Sequence, residues 1–111
     1  CLTLWLSNLF MKTQSKGYGL QTIETEIQNL LDSLRQCKSS AAREPGSAHS
    51  SLYIVSNEIG MGIVPENETA RKFRDMTGTL HQKIAGVSDE VYMMVAGIPM
   101  KMKGNHVSGD D

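Results

Sequence analysis

The chemistry on offer is concentrated in "SNEIGMGIVPEN", residues 56–67. Asn57 and Glu58 supply an amide and a carboxylate. Gly60 and Gly62 let the backbone turn sharply and approach a ligand closely. A helical run, "ETARKFRD", follows and carries Arg71, Arg74 and Asp75 on its early turns. In an open α/β sheet, ligands bind outside the carboxyl ends of strands, and a helix beginning there turns its amide dipoles toward them. A carboxylate for metal-bound water or an acceptor hydroxyl, with arginines for phosphate oxygens, makes a phosphate-facing edge.

Each of these residues also has an ordinary reading. Strand-to-helix turns need glycine and polar caps without any ligand. Arg71 and Arg74 fit a solvated helix face, and Asp75 fits an ion pair with Arg71 or Lys72. His81 fits either a set of polar neighbours or a ligand role, and Met93, Met94, Met100 and Met102 fit strand packing. No GxxxxGKS stretch occurs, so the chain carries no phosphate cradle of its own.

The elements that must position these residues follow from periodicity. Leu2, Trp5, Leu6, Leu9 and Phe10 share one helical face, widened by Leu4 and Met11. They predict a buried helix ending near Lys12, capped by Thr3 or by a residue upstream. "KTQSKGYG" reads as a polar loop. Leu20, Ile23, Ile27, Leu30, Leu31 and Leu34 form an amphipathic stripe and predict a helix over about residues 20–37. Residues 38–51, rich in Ser, Ala, Pro and Gly, read as a flexible connection.

"SLYIVSN" is a continuous apolar run with β-branched and aromatic residues, suited to a strand covered on both faces. Ala70, Phe73, Thr77, Leu80, Ile84 and Val87 place a narrow stripe on the next helix. "EVYMMVAG" reads as a second buried strand. "IPMKMK" continues it as a half-exposed edge strand, and residues 104–111 as a disordered tail. The order α-α-β-α-β implies a right-handed parallel βαβ unit, unless a turn reverses the last strand. The class is three-layer α/β, with helices on both sheet faces. Two or three strands do not complete such a sheet. Partner strands are therefore expected from upstream sequence or another subunit, and the isolated chain is expected to aggregate or stay molten.

Composition limits the partners. The 111 residues suit one small domain, with 40% hydrophobic and 21% charged residues and a net charge of −1. That charge gives no support to nucleic acid or an anionic membrane as main partner. Cys1 and Cys37 are distant and in no CxxC pair, which favours reduced thiols in a cytoplasmic setting. His49, His81 and His106 lack metal-ligand spacing. "CLTLWLSNLF" has no basic leader and is too short to span a bilayer; it reads as the middle of a domain whose beginning lies elsewhere.

The stretch "SNEIGMGIVPENETARKFRDMTGTLHQKIA" closely resembles the C-terminal region of the bifunctional adenosylcobinamide kinase/adenosylcobinamide-phosphate guanylyltransferase family of cobalamin biosynthesis. That family's pattern runs N-E-V-G-x-G-I-V-P-E-N, then A-R-x-F-R-D, then G-x-x-N-Q. "DEVYMMVAGIPMKMK" resembles its closing strand, and "CLTLWLSNLF" a segment in the middle of its chain. The resemblance covers about three quarters of the sequence and is weakest through 12–19 and 38–51.

The resemblance implies that residues 1–111 are the C-terminal part of one P-loop NTPase (RecA-like) domain that assembles as a homotrimer. It implies phosphorylation of adenosylcobinamide with ATP or GTP, and then transfer of GMP from GTP to the phosphate through a guanylylated histidine. The product would be adenosylcobinamide-GDP, and Mg2+ would accompany the nucleotide. The family's P-loop and nucleophilic histidine fall upstream of the segment matching Cys1. None of the three histidines here takes the nucleophile's role, and His81 stands where the family usually has Asn. Asn57, Glu58, Gly60, Gly62, Arg71, Arg74 and Asp75 are then the nucleotide- or substrate-proximal candidates. The rival reading is a non-catalytic α/β binding or assembly module that completes its sheet with a partner.

Overall fold

The computed structural model describes residues 1–17, 19–43 and 51–105, leaving out the side chains of 40–43. Three helices are followed by two strands: α1 (Leu2–Lys16), α2 (Leu20–Arg43), α3 (Glu68–Val87), β1 (Val91–Val95) and β2 (Ile98–Lys103). The class is α/β, but the order is α-α-α-β-β, and the described residues form one two-stranded sheet.

Helix α1 outruns its expected end by a turn. Thr13 is buried, and its hydroxyl donates to the Phe10 carbonyl at 2.7 Å, so a polar residue continues the apolar stripe. Nothing in Gln14–Lys16 breaks the helix. Gly17, with φ of 70°, ends it in the left-handed conformation that glycine adopts without penalty. Leu6 and Phe10 are buried, with Leu2, Trp5 and Leu9 packed against them. Leu4 and Met11 lie outside the stripe and are exposed. Cys1, not Thr3, occupies the N-cap, without a side-chain bond.

Helix α2 follows its stripe closely: Ile23, Ile27 and Leu31 are buried, and Leu30 and Leu34 pack beside them. Leu20 is exposed. The helix continues to Arg43, into what composition marks as connection, because Ala41 and Ala42 favour helix and no breaker precedes Pro45-Gly46. The remainder of that connection, 44–50, and the end of the tail, 106–111, lie outside the described residues.

Helix α3 opens on Asn67, whose Oδ1 accepts the Thr69 amide at 2.8 Å and the Ala70 amide at 3.3 Å. This side-chain cap satisfies donors the helix itself leaves free. Thr77, Leu80 and Ile84 are buried, and Phe73 meets Phe10 at 6.0 Å between ring centroids, tilted by 58°. Burying Thr77 is tolerable because its hydroxyl donates to the Phe73 carbonyl at 2.8 Å. The core is thus a three-helix contact centred on Leu6, Ile23 and Leu80.

The expected strand over 51–57 is not formed. A strand requires a neighbour to pair its backbone groups. Of the backbone groups in 51–57, the Val55 carbonyl accepts from the Leu2 amide of α1 at 2.9 Å. Leu52, Tyr53 and Val55 are exposed.

The last strand is reversed. β1 and β2 pair antiparallel, with Tyr92 opposite Lys101, Met93 opposite Met100 and Val95 opposite Ile98. Ala96 and Gly97 both have positive φ, 51° and 74°, which defines the type I′ hairpin turn. This is the turn-reversed alternative to the parallel βαβ unit, which does not form among the described residues. Its alternation is inverted relative to a usual covered sheet: Lys101 is half-buried while Met100 and Met102 are exposed, as is Met94. The methionines are not packed as a strand core here. Lys103 Nζ donates to the carbonyls of Ala85 at 2.8 Å and Gly86 at 3.3 Å. Lys38 Nζ donates to that of Val87 at 2.9 Å. Two cations therefore close the C-terminus of α3, where they complement its dipole.

Candidate functional site

Three elements meet at the motif: the first turn of α1, the segment from Ser56 to Gly60, and one face of α3. Arg74 and His81 lie seven residues apart, two turns along α3, and so share that face.

Glu58 is the hub. Its Oε1 accepts the Gly60 amide at 2.6 Å, and its Oε2 lies 3.9 Å from His81 Nδ1. Arg74 Nη2 donates to the Gly60 carbonyl. A carboxylate and a guanidinium therefore hold the two sides of Gly60. A Cβ added there would meet Glu58 Oε1 at 2.9 Å and Arg74 Nε at 3.9 Å. A Cβ would therefore displace the flexible end of Glu58 from the Gly60 amide, whereas the backbone conformation itself does not demand glycine. Gly62 has open space around it and no positive φ, so neither reason for glycine applies at that position.

Arg74 Nη1 is buried without a hydrogen-bond partner among the described residues. Arg71 turns back on the loop that precedes its helix, donating from Nη1 to the carbonyls of Pro65, at 3.0 Å, and Glu66. Asp75 points elsewhere. It lines a groove between α2 and α3 with Leu20, Glu24, Lys72 and Lys83, away from Glu58. Among the described residues the ion pair expected for it with Arg71 or Lys72 is not found: Lys72 pairs with Glu68 at 3.4 Å. Asn57 is exposed, and its backbone amide donates to Thr3 Oγ1 at 2.9 Å.

The structure thus brings together Asn57, Glu58, Gly60 and Arg74, leaves Arg71 beside them, and separates Asp75. It also adds three residues. Ser56 Oγ lies 2.6 Å from His81 Nε2 and 3.0 Å from Thr3 Oγ1. Thr3 therefore fastens the loop rather than capping α1. The sequence contained one signal for this cluster, the two-turn spacing of Arg74 and His81. The Thr3 contact joins residues more than fifty positions apart and left no local trace.

Among the described residues, no group of three or more His, Cys, Asp or Glu side chains could hold a metal ion. No helix among the described residues is long and apolar enough to cross a membrane. The arrangement can present a polar rim next to a helix N-terminus.

What these features define first is a class: an α/β chain with a glycine-bearing polar loop locked onto the helix that follows it. Comparison with known proteins takes this further. The chain belongs to the family described as "Cobinamide kinase / cobinamide phosphate guanyltransferase", whose sequence model matches residues 1–102. It is 34% identical over 111 aligned positions to the bifunctional adenosylcobalamin biosynthesis protein CobU of Salmonella typhimurium, covering 93% of this chain and 55% of that protein. It is 39% identical over 83 positions to the protein of the same name from Escherichia coli, covering 75% and 40%. It is 38% identical over 104 positions to the bifunctional adenosylcobalamin biosynthesis protein CobP of Pseudomonas aeruginosa, covering 94% and 51%. The chain spans about half the length of the curated relatives it matches.

Proposed function

We propose that residues 1–111 form the C-terminal part of a P-loop (RecA-like) domain that phosphorylates adenosylcobinamide with ATP or GTP. The same domain then transfers GMP from GTP to adenosylcobinamide phosphate, giving adenosylcobinamide-GDP in cobalamin biosynthesis. The observation that carries this reading is the family match over 1–102, which includes the whole motif loop and α3. In this reading the phosphate cradle and the guanylylated histidine come from sequence outside this chain. Asn57 and the backbone of Gly60–Gly62 form one wall of the nucleotide and corrinoid site. Glu58 and Arg74 shape that wall, Arg71 braces its exit into α3, and Asp75 belongs to a subunit contact or an outer rim. Mg2+ is the nucleotide's companion ion, with no ligand assigned to it here. The working protein is a cytoplasmic homotrimer. The apolar residues exposed at 52–55 and on the hairpin are covered by the rest of the domain.

The test is a hybrid in which this chain replaces the matching portion of the Pseudomonas aeruginosa protein. Incubated with radiolabelled GTP, the hybrid should become covalently labelled and pass the GMP to adenosylcobinamide phosphate. The 111 residues alone should not label. A well-folded hybrid that neither labels nor phosphorylates adenosylcobinamide would overturn the catalytic reading and favour the non-catalytic module. Labelling of the 111 residues alone would refute the placement of the nucleophile.

A further inference from the structure

The hydrogen bonds around His81 place its ring hydrogen. The Asn57 amide can only donate, so Thr3 Oγ1 accepts it at 2.9 Å. Thr3 must then place its own hydrogen on Ser56 Oγ at 3.0 Å or on the Asn57 carbonyl at 3.5 Å. The shorter contact is the stronger hydrogen bond. With Thr3 donating to Ser56, the single Ser56 hydrogen goes to His81 Nε2 at 2.6 Å. Nε2 is then the acceptor, so the neutral ring carries its hydrogen on Nδ1. Nδ1 lies 3.9 Å from Glu58 Oε2. The opposite tautomer would aim a lone pair at that carboxylate and leave Thr3 with the long bond. Three donations therefore run in one direction, Asn57 N–H to Thr3, Thr3 to Ser56 and Ser56 to His81, whose Nδ1–H then faces the Glu58 carboxylate.

We propose that His81 is a positioning residue of the motif loop: as the Nδ1–H tautomer it accepts Ser56 and faces Glu58, fixing the loop on α3. Glu58 in turn holds the Gly60 amide, so the register of the loop depends on a side chain two turns beyond Arg74. An asparagine can reproduce the acceptor and one donor of this arrangement, and alanine neither. The catalytic consequence rests on the function proposed above; the tautomer does not.

The first test is a histidine-selective nitrogen NMR spectrum of the hybrid in mildly alkaline buffer, where imidazoles are neutral. The resonance pair that disappears in His81→Asn should have the Nδ1–H pattern, and should shift in Ser56→Ala. An Nε2–H pattern, or insensitivity to Ser56→Ala, would overturn the proposal. The second test uses the active hybrid. His81→Ala should lower kcat/KM at least about tenfold, mainly through KM, and His81→Asn should restore it to within about threefold. Ser56→Ala combined with His81→Ala should cost no more than the worse single change. Additive losses, or alanine and asparagine behaving alike, would also overturn it. If the unmodified hybrid is inactive, the function falls, and the tautomer alone decides the role of His81.

Discussion

Leu80, in the middle of α3, is 0% exposed, whereas Ile63, shortly before the same helix begins, is 97% exposed. Both are large aliphatic residues within one stretch of chain. The difference lies in what the neighbouring elements need. A helix satisfies its own backbone and requires only an apolar face to bury, and α1, α2 and α3 supply one another's. The segment before α3 and the hairpin after it have backbone and side chains suited to a larger sheet. Among the described residues they lack its other members, and Tyr53, Val55, Met94 and Met102 remain exposed. The site sits on the border: Arg74 and His81 come from the closed half, Glu58 and Gly60 from the open one.

The comparison breaks most easily at Leu80. Leu80→Ala should destabilise the chain by about 2–5 kcal/mol, as for a fully buried leucine whose surroundings relax only partly. Ile63→Ala should change stability by less than about 0.5 kcal/mol. Trp5, the single tryptophan, packs against the same core and reports it by fluorescence during urea titration. Equal effects at both positions would mean that the helical half is not the stable unit.

The next effect lies at the border. Asn67→Ala removes the side-chain cap of α3 and should cost about 1 kcal/mol, read in the same titration. Asn67→Asp should recover most of that loss, because a carboxylate caps the same amides and suits the helix dipole. If alanine costs nothing, α3 is held by its packing alone and the motif loop does not set where it starts.

How much of this was visible in the sequence follows the same division. The stripes of α2 and α3 were legible because helical periodicity is local, and every apolar position assigned to α3 faces the core or its edge. The continuation of α1 was not, because Thr13 does not look like a core residue until its hydroxyl is paired with Phe10. The run at 51–57 has the composition of a strand, but composition cannot provide a partner. The reversing turn stood only as the alternative because Ala96 is an unusual residue for positive φ, where Asn or Gly would have announced it. At the site, the motif named Asn57, Glu58, Gly60 and Arg74 together. It also suggested that Glu58 and Arg74 face a ligand, whereas their first partners are the two sides of one glycine.

That glycine allows a finer test, with the smallest expected effect. Gly60 and Gly62 look alike in the sequence, and backbone conformation does not separate them, since neither has positive φ. Surroundings do. Alanine at 60 would crowd the flexible end of Glu58, which swings aside at the cost of its bond to the amide, a loss of about 0.5 kcal/mol. Alanine at 62 meets nothing within 4 Å. It should be neutral or slightly stabilising, by up to about 0.5 kcal/mol, through a less flexible unfolded chain. The discriminating measurement is amide hydrogen exchange at residue 60: protection should fall sharply in Gly60→Ala and stay unchanged in Gly62→Ala. Equal responses would mean that the Glu58–Gly60 contact does not hold the loop. The polar rim would then owe its shape to Arg74, and Arg74→Lys, which keeps the charge but loses the planar fork, would become the more damaging change.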